Sequence, residues 1–317
     1  MFKACLGNTE AATLCTKDSD EKHSSSRAQL NIFIGICSSH RYAERRAAVR
    51  ETWLKQLPDA VTAFFFVGEG PRLEEPDVLQ LPAGDGYDRL PEKVRTFCRH
   101  VLAHYQFDYM FKCDDDTYVC VERLFDLLQD DSDFIGSADQ AHKGFASGGA
   151  GYFLSRKALR LVAEATAPGS GAEDVWVGKL LQEAGIKLHP TQQLQMDHRV
   201  FPLTTNRLVT AHWCEPAVMK TIHQEIVEPG SANEVISFYA RHAVWQGKCR
   251  LLSNGVFVGG AEGPGSGGRW ETATDGEWLA LHWFHQPKDT LQKTAFGYAN
   301  LELKLERLDL GLNGRKT

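Results

Sequence analysis

Two strand-length runs that are apolar almost throughout limit this chain most: Leu30-Asn31-Ile32-Phe33-Ile34-Gly35-Ile36-Cys37 and Ala60-Val61-Thr62-Ala63-Phe64-Phe65-Phe66-Val67-Gly68. A strand exposed on one face alternates apolar and polar residues. One that does not alternate must be covered on both faces, the usual condition of parallel strands. Between the two runs, Ala43 to Leu54 reads as a helix, with Ala43, Ala47, Val49, Trp53 and Leu54 as its apolar side and Pro58 beyond its end. Strand, helix, strand predicts a βαβ unit and an α/β fold. Leu90 to Tyr105 reads as the next helix, Pro91 being tolerated in its first turn. The strand Tyr109 to Cys113 follows.

Further on, Val121 to Gln129 and Arg156 to Ala165 read as helices, and Glu173 opens another. Asp133 to Ser137 and Ile186 to His189 read as short strands, and Val209 to Cys214 is the last clear signal of this region. From Ser231 the texture changes. Glu234 to Trp245 reads as a helix; short β-prone runs then alternate with turn signals at Asn254-Gly255 and Asp275-Gly276. Leu301 to Leu305 alternates as a final strand. The expected organisation is a flexible N-terminal segment (1–29), an α/β domain (30–230) and a small Trp- and Gly-rich β module (231–317). Trp270, Trp278 and Trp283 would form the module's core or a sugar-stacking surface.

A net charge of −6 over 317 residues supplies no basic field for nucleic acid or an anionic membrane. No apolar run approaches the roughly 20 residues needed to span a bilayer, and the N-terminus has no signal-peptide apolar region. Eight cysteines are spread without Cys-x-x-Cys pairs, which argues against a zinc cluster and gives no disulfide framework. No Asn-x-Ser/Thr site occurs. These features suit a reducing cytosol, unless a membrane anchor has been trimmed away.

The strand Tyr109 to Cys113 ends on Asp114-Asp115-Asp116. Three adjacent like charges are costly unless something positive joins them. Hard divalent cations bind carboxylates together with substrate phosphates, and ligands of open α/β sheets sit beyond the carboxyl ends of strands. The triplet therefore reads as a metal–phosphate site, or else as a solvated acidic turn. Gly148, Gly149 and Gly151 mark a close approach to a ligand or a strand bulge. Asp174 is either a general base facing a cleft or an acid favoured by the helix dipole. His212 is either a packed histidine or a metal ligand.

Five stretches, in order, resemble the inverting β-1,3-glycosyltransferases of the galactosyltransferase and Fringe family. They are Arg45-Arg46-Ala47-Ala48-Val49-Arg50-Glu51-Thr52-Trp53, Tyr87 to Lys93, Phe111 to Val119, Gly148 to Ser155, and Glu173-Asp174-Val175 with Gly178. The wording of the third and fourth is nearest the core 1 galactosyltransferase and Fringe branches. The resemblance covers residues 30 to about 215. It implies a GT-A-type domain with a Rossmann-like mixed sheet, which uses a UDP-sugar and Mn²⁺, with Mg²⁺ as the alternative ion, to glycosylate a glycan or glycoconjugate acceptor.

Residue by residue, the resemblance makes Asp116 the metal ligand, joined by His212, and puts Asp114 and Asp115 at the donor. Asp174 becomes the base that activates the acceptor hydroxyl. Ser38, Arg46, Arg50, Lys93 and Gly149 are the further candidates for holding the donor. Luminal members of the family carry an anchor and disulfides. This sequence shows neither, so a bacterial or viral cytosolic enzyme is expected, with the Golgi lumen as the alternative for an anchor-trimmed chain. Two rival readings are a carbohydrate-binding protein with a decayed transferase site and a metal-dependent phosphohydrolase or nucleotidyltransferase.

Overall fold

The computed structural model describes residues 30–128, 131–166, 168–197, 208–228, 234–242, 246–253, 255–258, 267–283, 289–295, 297–301 and 303–307. The N-terminal segment 1–29 lies outside them. In order, the first part holds β1 (Ile32–Cys37), α1 (Ala43–Glu51), β2 (Val61–Val67), β3 (Val78–Gln80), α2 (Leu90–His104), β4 (Tyr109–Asp114) and β5 (Tyr118–Val119). There follow α3 (Val121–Leu124), β6 (Phe134–Ser137), β7 (Tyr152–Ser155), α4 (Arg156–Glu164), α5 (Glu173–Glu183), β8 (His189–Thr191), β9 (Leu194–Gln195), β10 (Thr210–Ala211) and α6 (Pro216–Val227).

Seven strands form one mixed sheet in the order β3-β2-β1-β4-β7-β6-β8. β1 pairs in parallel with both β2 and β4, and β7 alone runs against its neighbours β4 and β6. This is the α/β arrangement with a mixed sheet that was expected. The unbroken apolar run of β1 is explained by its two faces. Ile32, Ile34 and Ile36 enter one core cluster with Val49, Met219 and Ile222, under α1 and α6. Phe33 and Cys37 enter the other with Phe97, Leu159 and Val177, under α2, α4 and α5. Each such side chain contributes about 1.5–3 kcal/mol by full burial. Gly35 is the point of closest approach: a Cβ there would lie 2.3 Å from the Phe97 ring, so its absence lets α2 settle onto β1.

A second, small sheet has the order β5-β10-β9. β10 pairs antiparallel with β5, setting Thr210 opposite Val119 and Ala211 opposite Tyr118. This pairing carries the residues after β10 back to the acidic triplet that precedes β5.

The last part is a closed barrel of eight strands: β11 (Glu234–His242), β12 (Gln246–Leu252), β13 (Val256–Val258), β14 (Gly267–Thr272), β15 (Trp278–Trp283), β16 (Asp289–Thr294), β17 (Gly297–Ala299) and β18 (Leu303–Arg307). The β-rich expectation holds, with three corrections. Glu234 to His242 is a strand, not a helix: Phe238 and Ala240 alternate into the barrel, and β18 pairs along it. Among the described residues the barrel core is mostly leucine and phenylalanine, with Ala240 and Cys249, and Trp270 is only packed against it. In the first part, the strand expected at 186–189 begins instead at His189.

Candidate functional site

The carboxyl ends of β1, β2 and β4 lie side by side, Cys37 being in register with both Phe66 and Asp114. The acidic triplet therefore opens beside Ser38 and Ser39, and Asp115 N–H donates to the Cys37 carbonyl at 3.0 Å. The β5–β10 pairing supplies the other wall. Cys214 N–H donates to the Asp116 carbonyl at 2.8 Å, which brings His212 Nδ1 to 3.3 Å from Asp116 Oδ1. Asp114, Asp116 and His212 together place one ligand-type atom each within 4.8 Å of one another, a set able to hold a metal ion. Asp114 thus joins the cluster expected of Asp116 and His212.

The electrostatics of the triplet call for positive charge. Burial pushes Asp115 up to about 7, with Asp116 and Asp114 adding to the rise while the Ser38 hydroxyl and Arg45 oppose it. Burial also raises Asp116, with Asp114 adding, against the pull of His212 and Arg45. Burial works against Asp114 as well, yet Lys112, with Nζ 2.7 Å away, holds it below the usual range. A cation beside them would favour the charged forms of Asp115 and Asp116. Carboxylates and an imidazole are a donor set suited to a hard or borderline divalent ion.

The imidazole is oriented. Thr117 Oγ1 donates its one proton to the Gly149 carbonyl at 2.7 Å and lies 3.2 Å from His212 Nδ1. Thr117 can then only accept from Nδ1, which assigns the ring proton there and leaves Nε2 as the lone-pair nitrogen. Gly149 passes against the same ring: a Cβ there would fall 2.3 Å from Nε2.

Asp174 lies in the first turn of α5. Its carboxylate accepts from Gly148 N–H at 2.9 Å and from Val175 N–H at 2.8 Å. Behind it, Glu173 is buried and takes Lys112 at 2.7 Å and the Tyr152 hydroxyl at 2.9 Å. Lys112 thus ties the triplet strand to the helix of Asp174, bridging Asp114 and Glu173.

The expected donor-binding residues divide into two groups. The Ser38 hydroxyl donates to Asp115 Oδ2 at 2.7 Å, and Lys93 donates to the Ser38 carbonyl at 2.8 Å and to Asp85 at 3.0 Å, so both brace the strand ends. Arg46 is buried and forks onto Glu75, donating also to the Ser39 carbonyl. Arg50 bridges Glu75 and Asp77. Both guanidiniums are thus committed to the loop around β3.

Two residues of the site were not singled out by the sequence. Arg45 Nη1 lies 2.9 Å from Asp116 Oδ2 and 3.5 Å from Asp115 Oδ1, while its other nitrogen takes Glu215. Asp85 gathers Ser39 Oγ and the N–H groups of His40 and Gly68. Arg45 fell inside a recognisable motif, but only the fold reveals that it faces the triplet.

Residues 44–146 match the family model described as Galactosyltransferase. Hydroxyproline O-galactosyltransferase GALT5 of Arabidopsis thaliana is 29% identical over 137 residues, 38% of this chain and 20% of the relative. Glycoprotein-N-acetylgalactosamine 3-beta-galactosyltransferase 1 of Xenopus laevis is 28% identical over 155 residues, 45% of this chain and 43% of the relative. Beta-1,3-galactosyltransferase 6 of Mus musculus is 30% identical over 115 residues, 31% of this chain and 35% of the relative. The chain therefore spans well under half of each of these curated relatives. Among solved structures, a glycosyltransferase involved in glycosylation of the major capsid of PBCV-1 covers 62% of this chain and 99% of its own. At 12% identity and a TM-score of 0.39, that likeness is too distant to carry an inference. Among the described residues no helix is long and apolar enough to cross a membrane. The family match takes in most of α1, the strands β2 and β4 and the acidic triplet, and over that stretch the chain is similar to the Galactosyltransferase family.

Proposed function

We propose that the chain is a metal-dependent inverting glycosyltransferase. It moves a hexose, galactose being favoured over an N-acetylhexosamine, from a UDP-sugar to a hydroxyl of a glycan or glycoconjugate acceptor, forming a β-1,3 linkage. The observation that carries this is the Asp114–Asp116–His212 cluster at the end of β4, whose two aspartates lie in the part similar to the Galactosyltransferase model and whose histidine is brought in by the β5–β10 pairing. A divalent ion, Mn²⁺ by the imidazole in the set, would be held by these three and would supply charge neutralisation for the departing diphosphate. Asp115, braced by Ser38, lies on the donor side with Gly149.

Asp174 is the base. Its two backbone N–H bonds fix the carboxylate at the helix start, ready to take the proton of the acceptor hydroxyl. As the acceptor oxygen bonds to the anomeric carbon from one face, the bond to the diphosphate oxygen breaks on the other and UDP leaves with the electron pair. The anomeric configuration inverts in this single displacement. Lys112 keeps the acceptor-side helix and the donor-side strand in fixed relation.

One observation favours a second reading. Arg45 already sets a positive charge against Asp116 and Asp115, so the triplet could be neutralised without a metal in a carbohydrate-binding protein whose transferase site has decayed. Calorimetry with Mn²⁺ and UDP, and a UDP-release assay with UDP-galactose and a panel of acceptors, separate the two. The transferase reading expects Mn²⁺-dependent UDP release, reduced about 10²–10⁴-fold in Asp174→Asn. Full turnover by that variant removes Asp174 from the role. Absence of both UDP binding and UDP release in the wild type favours the decayed site.

A further inference from the structure

A cleft of about 610 Å³ lies between α6, the residue after His212, and the barrel strands β14 and β15. Its walls include Asp197, Trp213 and Thr221 on the α/β side, and Trp270, Glu271 and His282 on the barrel side. It adjoins the site already described through Trp213. Trp213 follows His212 directly, their rings 5.5 Å apart, and the next residue is bonded to the Asp116 carbonyl.

Trp213 departs from what sequence and packing would otherwise give. Among described residues it alone, glycine aside, has a positive φ, at 58°, and its large ring is 51% exposed. A bulky residue in the left-handed region costs on the order of 1–3 kcal/mol, and such strain collects at ligand-binding sites. Its exposed indole also forgoes the stabilisation that burying it would give. Across the cleft, the Trp270 indole is held by its N–H donating to the Leu252 carbonyl at 2.9 Å. Next to it His282 Nε2 and Glu271 Oε1 are 3.0 Å apart, and both side chains remain substantially exposed.

We infer that this cleft is the acceptor subsite, in which the barrel binds the neutral sugar residues that follow the one being glycosylated. The chemistry matches a glycan. Sugar rings offer an apolar C–H face to an aromatic ring, and hydroxyl donors around the edge to carboxylates and imidazole. The charged groups of the lining carry both signs, Asp197 and Glu271 against Arg269, which suits a neutral, hydroxyl-rich occupant rather than one of strong single charge. Because Trp213 packs against His212, a chain lying in the cleft would extend toward the metal cluster. The barrel is thereby the part that selects the acceptor. This inference rests on the transferase reading above, and its test is arranged so that the two fail separately.

The experiment uses the full chain with UDP-galactose, Mn²⁺ and uncharged galactose- or N-acetylhexosamine-terminated acceptors of one and four sugar residues, in wild type, Trp270→Ala, Trp270→Phe and Glu271→Gln. Oligosaccharide binding without donor is followed in parallel by calorimetry. Trp270→Ala and Glu271→Gln should raise KM for the four-residue acceptors about tenfold or more, with kcat and the KM for UDP-galactose within about threefold. The one-residue acceptors should show little of this change. Trp270→Phe, which keeps an aromatic face, should recover most of the loss, separating ring contact from a defect in folding. Glu271→Gln alters an exposed side chain and remains informative if Trp270→Ala does not fold. If the wild type releases no UDP but binds the oligosaccharides, and Glu271→Gln or Trp270→Ala weakens that binding, the cleft stands and the transferase reading falls. Transfer with an unchanged KM for the longer acceptors in both variants overturns the cleft. So does the absence of oligosaccharide binding together with the absence of transfer.

Discussion

Gly149 shows how one residue can set the metal cluster. Its backbone runs so close to His212 that a Cβ would meet Nε2 at 2.3 Å, Cδ2 at 2.5 Å and Cε1 at 2.6 Å. The ring cannot easily retreat, because it is buried and Thr117 and Asp116 hold Nδ1 from the other side. Gly149→Ala should therefore displace the imidazole from Asp114 and Asp116 while leaving the sheet intact. Mn²⁺ affinity, read by electron paramagnetic resonance of the free ion, should fall about tenfold or more, since disturbing the groups that orient a metal's ligands costs about 10–100-fold. An unchanged affinity would show that His212 does not ligate. Lys112 is the complementary case. It is buried between Asp114 and Glu173, and burial alone would lower its pKa, yet the two carboxylates raise it well above the ordinary value.

At the scale of elements, the segment joining β2 to α2 is held by charge rather than by apolar packing. Asp85 accepts from the N–H groups of Gly68 and His40, from Ser39 and from Lys93, whose ammonium is buried. Burial opposes ionisation of Asp85, but these donors outweigh it and bring the carboxyl down to about 2. Because the folded value lies below the unfolded one, the stabilisation is fully present above about pH 4. It is lost as pH falls through about 2. Asp85→Asn should cost about 3 kcal/mol near neutrality, since it leaves the Lys93 charge buried without its partner. In urea titrations the difference from wild type should shrink steadily between pH 4 and pH 2. A difference independent of pH would mean that shape, not charge, is what Asp85 supplies. None of this clamp was legible in the sequence, because Ser39 and Lys93 are 46 and 8 positions from Asp85 and neither spacing has a periodic signature. What was legible was local. The unbroken run of β1 announced a strand buried on both faces, and three adjacent acids at the end of β4 announced a site in need of positive charge. The segment 234–242 was misread because its apolar residues satisfy a helical pattern as well as a strand. Only the antiparallel pairing with β12 and β18, supplied by barrel closure, decides between them.

On the scale of the molecule, the barrel has its own core but does not stand apart from the α/β part. In β13, Phe257 turns into the barrel core, whereas Val256, one position away and fully buried, belongs to the core cluster of Ile32, Val49 and Met219. Period-2 alternation thus gives this strand two cores to serve, and Leu252 packs against the same outer cluster. The six cysteines among the described residues are free and buried, and they report on both cores. Cys249 is in the barrel core, where burial lifts its thiol to about 12; Cys120 and Cys214 are in the α/β cluster, where burial lifts theirs to about 11 and about 12. Being buried and protonated, these three should ignore an alkylating reagent until the chain opens around them. Val256→Ala removes about 2 kcal/mol of packing from the shared cluster. If the barrel depends on that cluster, pulsed labelling with mass-spectrometric mapping should find Cys249, Cys120 and Cys214 becoming reactive at one common denaturant midpoint in the wild type. The variant should show a single lower midpoint for all three. If Cys249 alone moved in the variant, or opened first in the wild type, the barrel would be an independent folding unit and the cleft beside Trp213 would be free to open and close as the two parts separate.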